Sequence, residues 1–328
     1  MSEWQGRRVL VTGAYGFLAG HLIEALLEQK AEVVGLVRDC PAESYLQLRG
    51  LDSRITRVSG DITDLDACRR AINEHEIEVV FHLAAQAIVG LANRSPYSTF
   101  ESNIRGTYTV LEACRELKAG KGPLKGIVVA SSDKAYGDQV ELPYREEAPL
   151  VGMHPYDASK SCADLITRAF HKTYGLPVAV TRCANLYGPG DTNFSRIVPA
   201  TLQSVIEGER PIIRSDGSPQ RDYLYVKDAA EGYMTLAQAV IGGTAAGKAY
   251  NLGSGVPVTV LELVDEIIKV SGSDLTPDVQ GTASSEIQHQ YLDATRAREE
   301  LGWVARTPLA EGLTESYNWY KGYCCDNA

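Results

Sequence analysis

Two stretches of this chain concentrate side chains able to move protons. They are Ser131-Ser132-Asp133-Lys134-Ala135-Tyr136-Gly137 and, one segment later, Tyr156-Asp157-Ala158-Ser159-Lys160. Together they hold an acid, a lysine, a hydroxyl cluster and a Tyr/Lys pair. Tyr-x-x-x-Lys on a helix sets both side chains on one face, a turn apart. The neighbouring ammonium lowers the phenol toward neutrality, which makes it a usable base. The spacing alone decides little, because it occurs three times: Tyr156/Lys160, Tyr223/Lys227 and Tyr317/Lys321. The second pair falls in a strand-like stretch, where i and i+4 lie far apart, and the third lies near the C-terminus. Only Tyr156/Lys160 opens a helix after a strand that runs into Ser131-Ser132.

The elements that must position these groups follow a regular alternation. Arg8–Thr12 reads as a short buried strand, and Leu18, Leu22, Ile23, Leu26 and Leu27 recur at helical spacing before a second strand at Glu32–Val37. Strands at Arg54–Ser59, Glu78–Leu83, Gly126–Ala130 and Pro177–Arg182 alternate with helices near Leu65–Asn73, Phe100–Glu116 and Pro155–Tyr174. Such alternation implies a parallel, doubly wound α/β sheet of Rossmann type, whose ligands bind outside the carboxyl ends of the strands. The notable motifs fall at those ends: Gly13, Asp61-Ile62, Leu83-Ala84-Ala85-Gln86, Ser131–Lys134 and Asn185. Past about residue 190 the alternation breaks down. The expected organisation is therefore a cofactor domain over 1–187 and a smaller, partly interleaved substrate-binding region over 188–328. No internal repeat or low-complexity segment interrupts it.

The first strand-to-helix join carries Gly13-Ala14-Tyr15-Gly16-Phe17-Leu18-Ala19-Gly20. Gly13 permits the tight turn, Gly16 lets a pyrophosphate approach the backbone at the helix N-terminus, and Ala19 is small enough for helix–strand packing. This predicts a dinucleotide site made from Gly13, Tyr15, Gly16, Phe17 and Leu18, with Asp61, Ile62, Leu83, Ala84 and Ala85 from the following strand ends. At the end of the second strand an acidic residue binds the adenosine ribose, whereas an arginine accommodates a 2′-phosphate. The acidic position falls on Val37 and Arg38 comes next, which leans to NADP, with NAD the close alternative because Asp39 can still reach the ribose.

Composition excludes several other classes. The hydrophobic share of 44% and charged share of 23% are those of an ordinary globular chain. A formal net charge of −10 without long single-sign runs argues against a nucleic-acid surface. The apolar runs are strand-sized, so no membrane span is expected, and Met1-Ser2-Glu3-Trp4 does not open a signal peptide. Seven scattered cysteines without metal-ligand spacing point to reduced thiols in a cytoplasm and to no metal site.

The combined motifs resemble the extended short-chain dehydrogenase/reductases acting on nucleotide sugars. Besides the glycine turn and Tyr156/Lys160, the resemblance is carried by His82-Leu83-Ala84-Ala85, Asn103, Ser132, Arg182-x-x-Asn185-x-Tyr187-Gly188-Pro189-Gly190 and Arg221-Asp222-Tyr223-x-Tyr225-Val226-x-Asp228. Within that family Ser132-Asp133-Lys134 is similar to the triplet of the 4,6-dehydratases. The resemblance implies that Ser132, Tyr156 and Lys160 serve oxidation at C4 of a hexose, that Lys134 takes the C5 proton, and that Asp133 protonates the departing C6 hydroxyl. A lysine in a site holding a cationic nicotinamide can release its proton readily enough to act as a base. The product would be an NDP-4-keto-6-deoxy sugar, with the cofactor regenerated each turnover.

Three stretches look most like CDP-glucose 4,6-dehydratases: His82 through Val89, Ser132-Asp133-Lys134 and His154-Pro155-Tyr156. A fourth, from Glu286 through Leu292-Asp293 to Leu301-Gly302-Trp303, echoes their C-terminal region, while the Arg38 context looks more like the GDP-mannose enzymes. Gln86, Asn185, Arg196 and Arg221 are the expected substrate contacts, the last three on the diphosphate; Arg196 reads equally as a surface charge. An NDP-sugar 4-epimerase or decarboxylase, with Asp133 and Lys134 incidental, is the alternative. The resemblance also implies a homodimer packing the helices near Phe100–Glu116 and Pro155–Tyr174.

Overall fold

The computed structural model of the chain describes residues 2–41, 43–282 and 287–326; Glu286, at the head of the C-terminal stretch noted above, lies outside them. The first part of the chain runs β1 Arg8–Thr12, α1 Phe17–Glu28, β2 Glu32–Val37, α2 Tyr45–Leu48, β3 Thr56–Ser59, α3 Leu65–Asn73, β4 Val79–His82, α4 Val89–Arg94, α5 Pro96–Phe100, α6 Gly106–Ala119, β5 Gly126–Ala130, α7 Pro155–Tyr174 and β6 Val178–Cys183. The second part runs β7 Asn185–Tyr187, α8 Ile197–Glu207, β8 Ile212–Ile213, β9 Gln220–Tyr225, α9 Val226–Ile241, β10 Ala249–Leu252, β11 Pro257–Thr259, α10 Val260–Ser271, β12 Asp278–Val279, β13 His289–Gln290 and α11 Leu309–Asp326.

The apolar, β-branched runs near the N-terminus form a seven-stranded sheet in the order β10-β6-β5-β4-β1-β2-β3, with every neighbouring pair parallel. Val9, Val11, Val79, Phe81 and Val128 pack under α1 and α9 on one face. Leu10, Val34, Val80, Ile127 and Val129 pack under α3 and α6 on the other. Because both faces are covered, the strands read as continuous apolar runs and not as alternating ones. The sheet is the doubly wound one expected from the alternation.

Local chemistry sets the helix ends. Asp64 caps α3 by accepting from the backbone of Asp66 and Ala67 at 2.9 and 3.2 Å. Pro155 opens α7, and Gly175, at φ 65°, closes it in the left-handed conformation. The long helix expected around Phe100–Glu116 is present: α5 from Pro96 passes through residues 101–105, which wind as one wide π-helical turn, directly into α6 at Gly106. That wide turn carries Asn103 to the site side of the sheet.

The second part divides between two places. α9 and β10 return to the large sheet, β10 pairing along β6 from Ala249↔Val180 to Leu252↔Cys183. A smaller sheet forms around β9, which pairs antiparallel with β11 and parallel with β7 and β13. α8, α10 and α11 cover it through Leu202, Leu263, Ile267, Leu313 and Tyr320.

Candidate active site

A cavity of about 980 Å³ lies between the carboxyl ends of the large sheet and the smaller sheet. All the expected positions line it: Gly13, Tyr15, Gly16, Phe17, Leu18, Arg38, Asp61, Ile62, Leu83, Ala84, Ala85, Gln86, Ser132, Asp133, Lys134, Tyr156, Lys160, Asn185, Arg196 and Arg221. Arg182 does not line it. It is buried in a structural ion pair with Asp164 at 2.8 Å and donates to the Tyr136 hydroxyl. Tyr223 reaches the cavity, but Lys227 sits on α9 and pairs with Glu315, so that Tyr/Lys spacing builds no site.

The glycine turn is built for close approach. Gly13 has φ 68°, and a Cβ there would stand 2.8 Å from the Ala84 Cα. Gly16 caps α1 without a side-chain hydrogen bond, so the first N–H groups of the helix are left to an anion. Beneath the turn runs a buried chain of polar groups. Thr12 Oγ1 accepts from the backbone N–H of Leu83 and Ala84, both at 3.1 Å, so its own proton goes to His82 Nδ1 at 2.9 Å. His82 Nε2 must then donate to Thr107, whose hydroxyl donates to the Asn103 carbonyl at 2.7 Å. Burial, with Lys160 adding to it, pushes His82 down to about 3, so it stays neutral. Asn103 accepts from the Gln86 backbone at 2.7 Å and donates to Ser159 at 2.8 Å, tying the β4 end to α7. These contacts fit a dinucleotide lying across Gly13–Leu18 and the β4 loop.

Arg38 does not stand free for a 2′-phosphate. Its guanidinium meets Asp39 at 2.7 Å and Asp61 at 3.6 Å. Asp61 also accepts from the Thr63 backbone and hydroxyl; these bonds and Arg38 outweigh burial and hold its carboxyl low. An added phosphate dianion would stand beside two carboxylates, so the lean to NADP drawn from Arg38 is not supported. The sequence placed Arg38, Asp39 and Asp61 at this end of the site but not the ion pairs that join them.

At the end of β5, Ser131 hydrogen-bonds the Lys160 carbonyl and Lys160 Nζ donates to the Ala130 carbonyl at 2.8 Å. Lys160 Nζ lies 6.0 Å from the centre of the Tyr156 ring. Burial lowers Lys160 to about 8. Burial raises the Tyr156 phenol to about 12, against a hydrogen bond with Ser132 that lowers it, so the lowering expected from Lys160 is not realised while its ammonium is held on the Ala130 carbonyl. Ser132 also donates to Asp133 at 3.1 Å and accepts from the Lys134 backbone. Lys134 Nζ reaches both Asp133 oxygens at 3.3 Å, Asn185 Oδ1 at 3.4 Å and Gln290 Oε1 at 2.6 Å. The Asp133/Lys134 pair therefore faces the same cavity as Tyr156, and does not cap a solvent-exposed turn.

On the far wall, Arg196 pairs with Asp191 at 2.9 Å, while Arg221 donates to the Gln220 carbonyl. Arg214 lines the same wall and has no carboxylate within ion-pair distance among the described residues. Sequence reasoning missed both Arg214 and Gln290. Arg214 sits in a turn-rich stretch, where its one signal was a position before Gly217; Gln290 lies on a two-residue strand that no periodicity marks.

The chain matches the GDP-mannose 4,6 dehydratase family over residues 10–316. It is 32% identical to a CDP-glucose 4,6-dehydratase of Salmonella typhimurium, over 98% of this chain and 92% of that protein. A dTDP-glucose 4,6-dehydratase from Streptomyces venezuelae, solved with NAD bound, superposes with a TM-score of 0.83 at 29% identity, over 96% of this chain and 97% of that one. A UDP-glucose 4-epimerase from Thermotoga maritima, solved with UDP-glucose, superposes with a TM-score of 0.88 at 27% identity, over 97% and 99%.

Proposed function

From the premise that the chain belongs to the GDP-mannose 4,6 dehydratase family, we propose that it is an NDP-hexose 4,6-dehydratase that converts CDP-glucose or a similar nucleotide hexose to the 4-keto-6-deoxy sugar. The observation that carries this reading is the Asp133/Lys134 pair, which faces one cavity with Tyr156 and Lys160. An epimerase needs only the Ser/Tyr/Lys set, whereas elimination of water needs a second acid and base. The cofactor is a nicotinamide dinucleotide; NAD is favoured because Arg38 is engaged by Asp39 and Asp61 and because the Streptomyces enzyme was solved with NAD. Gly13–Leu18, Asp61, Ile62 and Leu83–Ala85 would hold it.

When bound, the oxidised cofactor supplies a reversible hydride acceptor and a positive charge. Tyr156, aided by that charge, by Lys160 and by Ser132, takes the proton of the C4 hydroxyl as C4 is oxidised. The resulting ketone acidifies C5. Asp133 and Lys134 lie 3.3 Å apart, close enough for one proton to pass between them. Moving it onto Asp133 leaves Lys134 an amine that removes the C5 proton while Asp133 protonates the departing C6 hydroxyl. Lys134 returns its proton to C5 once C6 is reduced, and the proton taken by Tyr156 balances the one lost in water. Asn185, Arg196 and Arg221 are suited to the diphosphate and Gln86 to the sugar side of the cavity.

In this reading residues 1–187 carry the cofactor side and 188–328 most of the nucleotide-sugar side, with α9 and β10 completing the first. Exposed Tyr97, Phe100, Tyr108 and Leu165 on α5, α6 and α7 favour a homodimer through those helices. No helix of the described residues is long and apolar enough to cross a membrane.

The test is incubation of the NAD-loaded protein with CDP-, GDP-, UDP- and dTDP-hexoses. A 4-keto-6-deoxy product that absorbs in alkali is expected. C4 inversion without loss of water would instead establish the epimerase that the Thermotoga neighbour exemplifies.

A further inference from the structure

The closest partner of Lys134 comes from the far end of the chain. Gln290 is 1% exposed; its Oε1 accepts from Lys134 Nζ at 2.6 Å and its Nε2 donates to the Asp133 carbonyl at 3.3 Å. These two contacts fix the amide. A flipped Gln290 would set its NH₂ against the ammonium and its oxygen against a carbonyl. The strand pairing of β13 with β9 holds the residue opposite Arg221, so Gln290 is anchored by backbone and not by a loose loop.

The other groups around the pair come from every packed element. Asp133 itself is the nearest charge; α7 contributes Asp157 and Tyr156, β9 the buried Asp222, β6 Cys183 and the loop after β5 Tyr144. Burial raises the Asp157 and Asp222 carboxyls. Asn185 and Gln290 are the neutral acceptors, and Gln290 makes the shorter contact. An accepting oxygen at this distance favours the ammonium over the amine.

We propose that Gln290 is a positioning residue for the elimination: it aims Lys134 Nζ and makes the Asp133/Lys134 pair keep its shared proton to higher pH. This rests on the dehydratase reading given above. Without the proton the pair has no acid for the C6 hydroxyl, so activity falls on the alkaline side where that proton is lost. A hydrogen bond to a charged group is strong enough to displace that limb by about one pH unit.

The measurement is the turnover of CDP-glucose to its 4-keto-6-deoxy product by the NAD-loaded enzyme, the reaction that needs the acid as well as the base, recorded across pH for wild type, Gln290→Leu and Gln290→Glu. The alkaline limb should move down in Gln290→Leu and up in Gln290→Glu, each by about one unit, while hydride transfer from CDP-glucose persists in both. Limbs that coincide with wild type, or that move in the same direction in both variants as damaged packing would give, overturn the inference. If Gln290→Leu fails to fold, as judged by its melting curve, the upward shift in Gln290→Glu decides alone. Wild-type enzyme that does not dehydrate CDP-glucose sinks the dehydratase reading itself, and the inference with it.

Discussion

Replacing Lys134 with Met separates the two halves of the proposed chemistry. Methionine keeps the length and apolar stem of the side chain but removes the ammonium that bridges Asp133, Asn185 and Gln290. Two consequences can be scaled. Asp133, 2% exposed, keeps its hydrogen bond from Ser132, whereas Gln290, 1% exposed, loses the partner of its Oε1. Leaving that acceptor unpaired costs about 1–3 kcal/mol, and the buried Asp133 carboxylate also loses its cation, a loss of up to about 3–5 kcal/mol, which together lower the melting temperature by roughly ten degrees or more. The catalytic loss is separate. Removing a positioned general base slows its step by about 10²–10⁴-fold, or about 3–5 kcal/mol of barrier. Hydride transfer at C4 depends on Tyr156, Lys160 and Ser132 and should survive. In a stopped-flow assay with CDP-glucose, Lys134→Met should therefore accumulate reduced nicotinamide absorbance, release no 4-keto-6-deoxy product and incorporate no deuterium at C5. Undiminished dehydration would refute the assignment of the base, and lost hydride transfer in a folded variant would refute the division of labour between the two pairs.

Three further outcomes are expected. NAD should raise the melting temperature more than NADP at equal concentration, and Arg38→Ala should leave the NAD response intact; a larger response to NADP would show that Arg38 leaves Asp39 and Asp61 for a phosphate. His82 and His21 are depressed by burial to about 3 and about 4, so folding keeps them neutral, and their contribution is full above the unfolded value near 6.5. Stability should fall as pH drops from about 6.5 toward 3, and His82→Gln should flatten that fall in acid melting curves; parallel curves would rule His82 out. Asp164→Ala strands the buried Arg182 guanidinium and should destabilise the fold by about 3–5 kcal/mol, read by urea titration, with unchanged turnover per folded molecule because neither residue lines the cavity.

The parts legible in the sequence are those with local causes. Buried β-branched runs mark β1, β2, β4, β5 and β6, and a Rossmann sheet puts whatever follows each strand at one edge. That is why Gly13, Asp61, Leu83 and Ser131–Lys134 meet without any long-range knowledge. The same logic separates Tyr156/Lys160 from its two look-alikes. What escaped depends on distant pairing. Gln290 reaches Lys134 because a two-residue strand joins β9 across the molecule, and nothing within its own neighbourhood announces that. Arg38 is a site arginine by position, but its availability depends on Asp61 from the next strand end. The long helix around Phe100–Glu116 is legible, but its wide turn over 101–105, which carries Asn103 to Gln86 and Ser159, leaves no mark in the helical periodicity.

The return of the chain to the large sheet also bears on the order of assembly. β6 gains its outer neighbour only from residues 249–252, after β7, α8, β9 and α9 have been made. As the chain leaves the ribosome, the dinucleotide fold is held open along that edge, with the ladder groups of β6 from Val180 to Cys183 unpaired. A fragment stopping at residue 187 would keep every expected cofactor contact yet lack both β10 and the α9 face that covers the sheet beside α1. Such a fragment is expected to aggregate along β6, because the pairing that closes this edge is late and non-local in the chain.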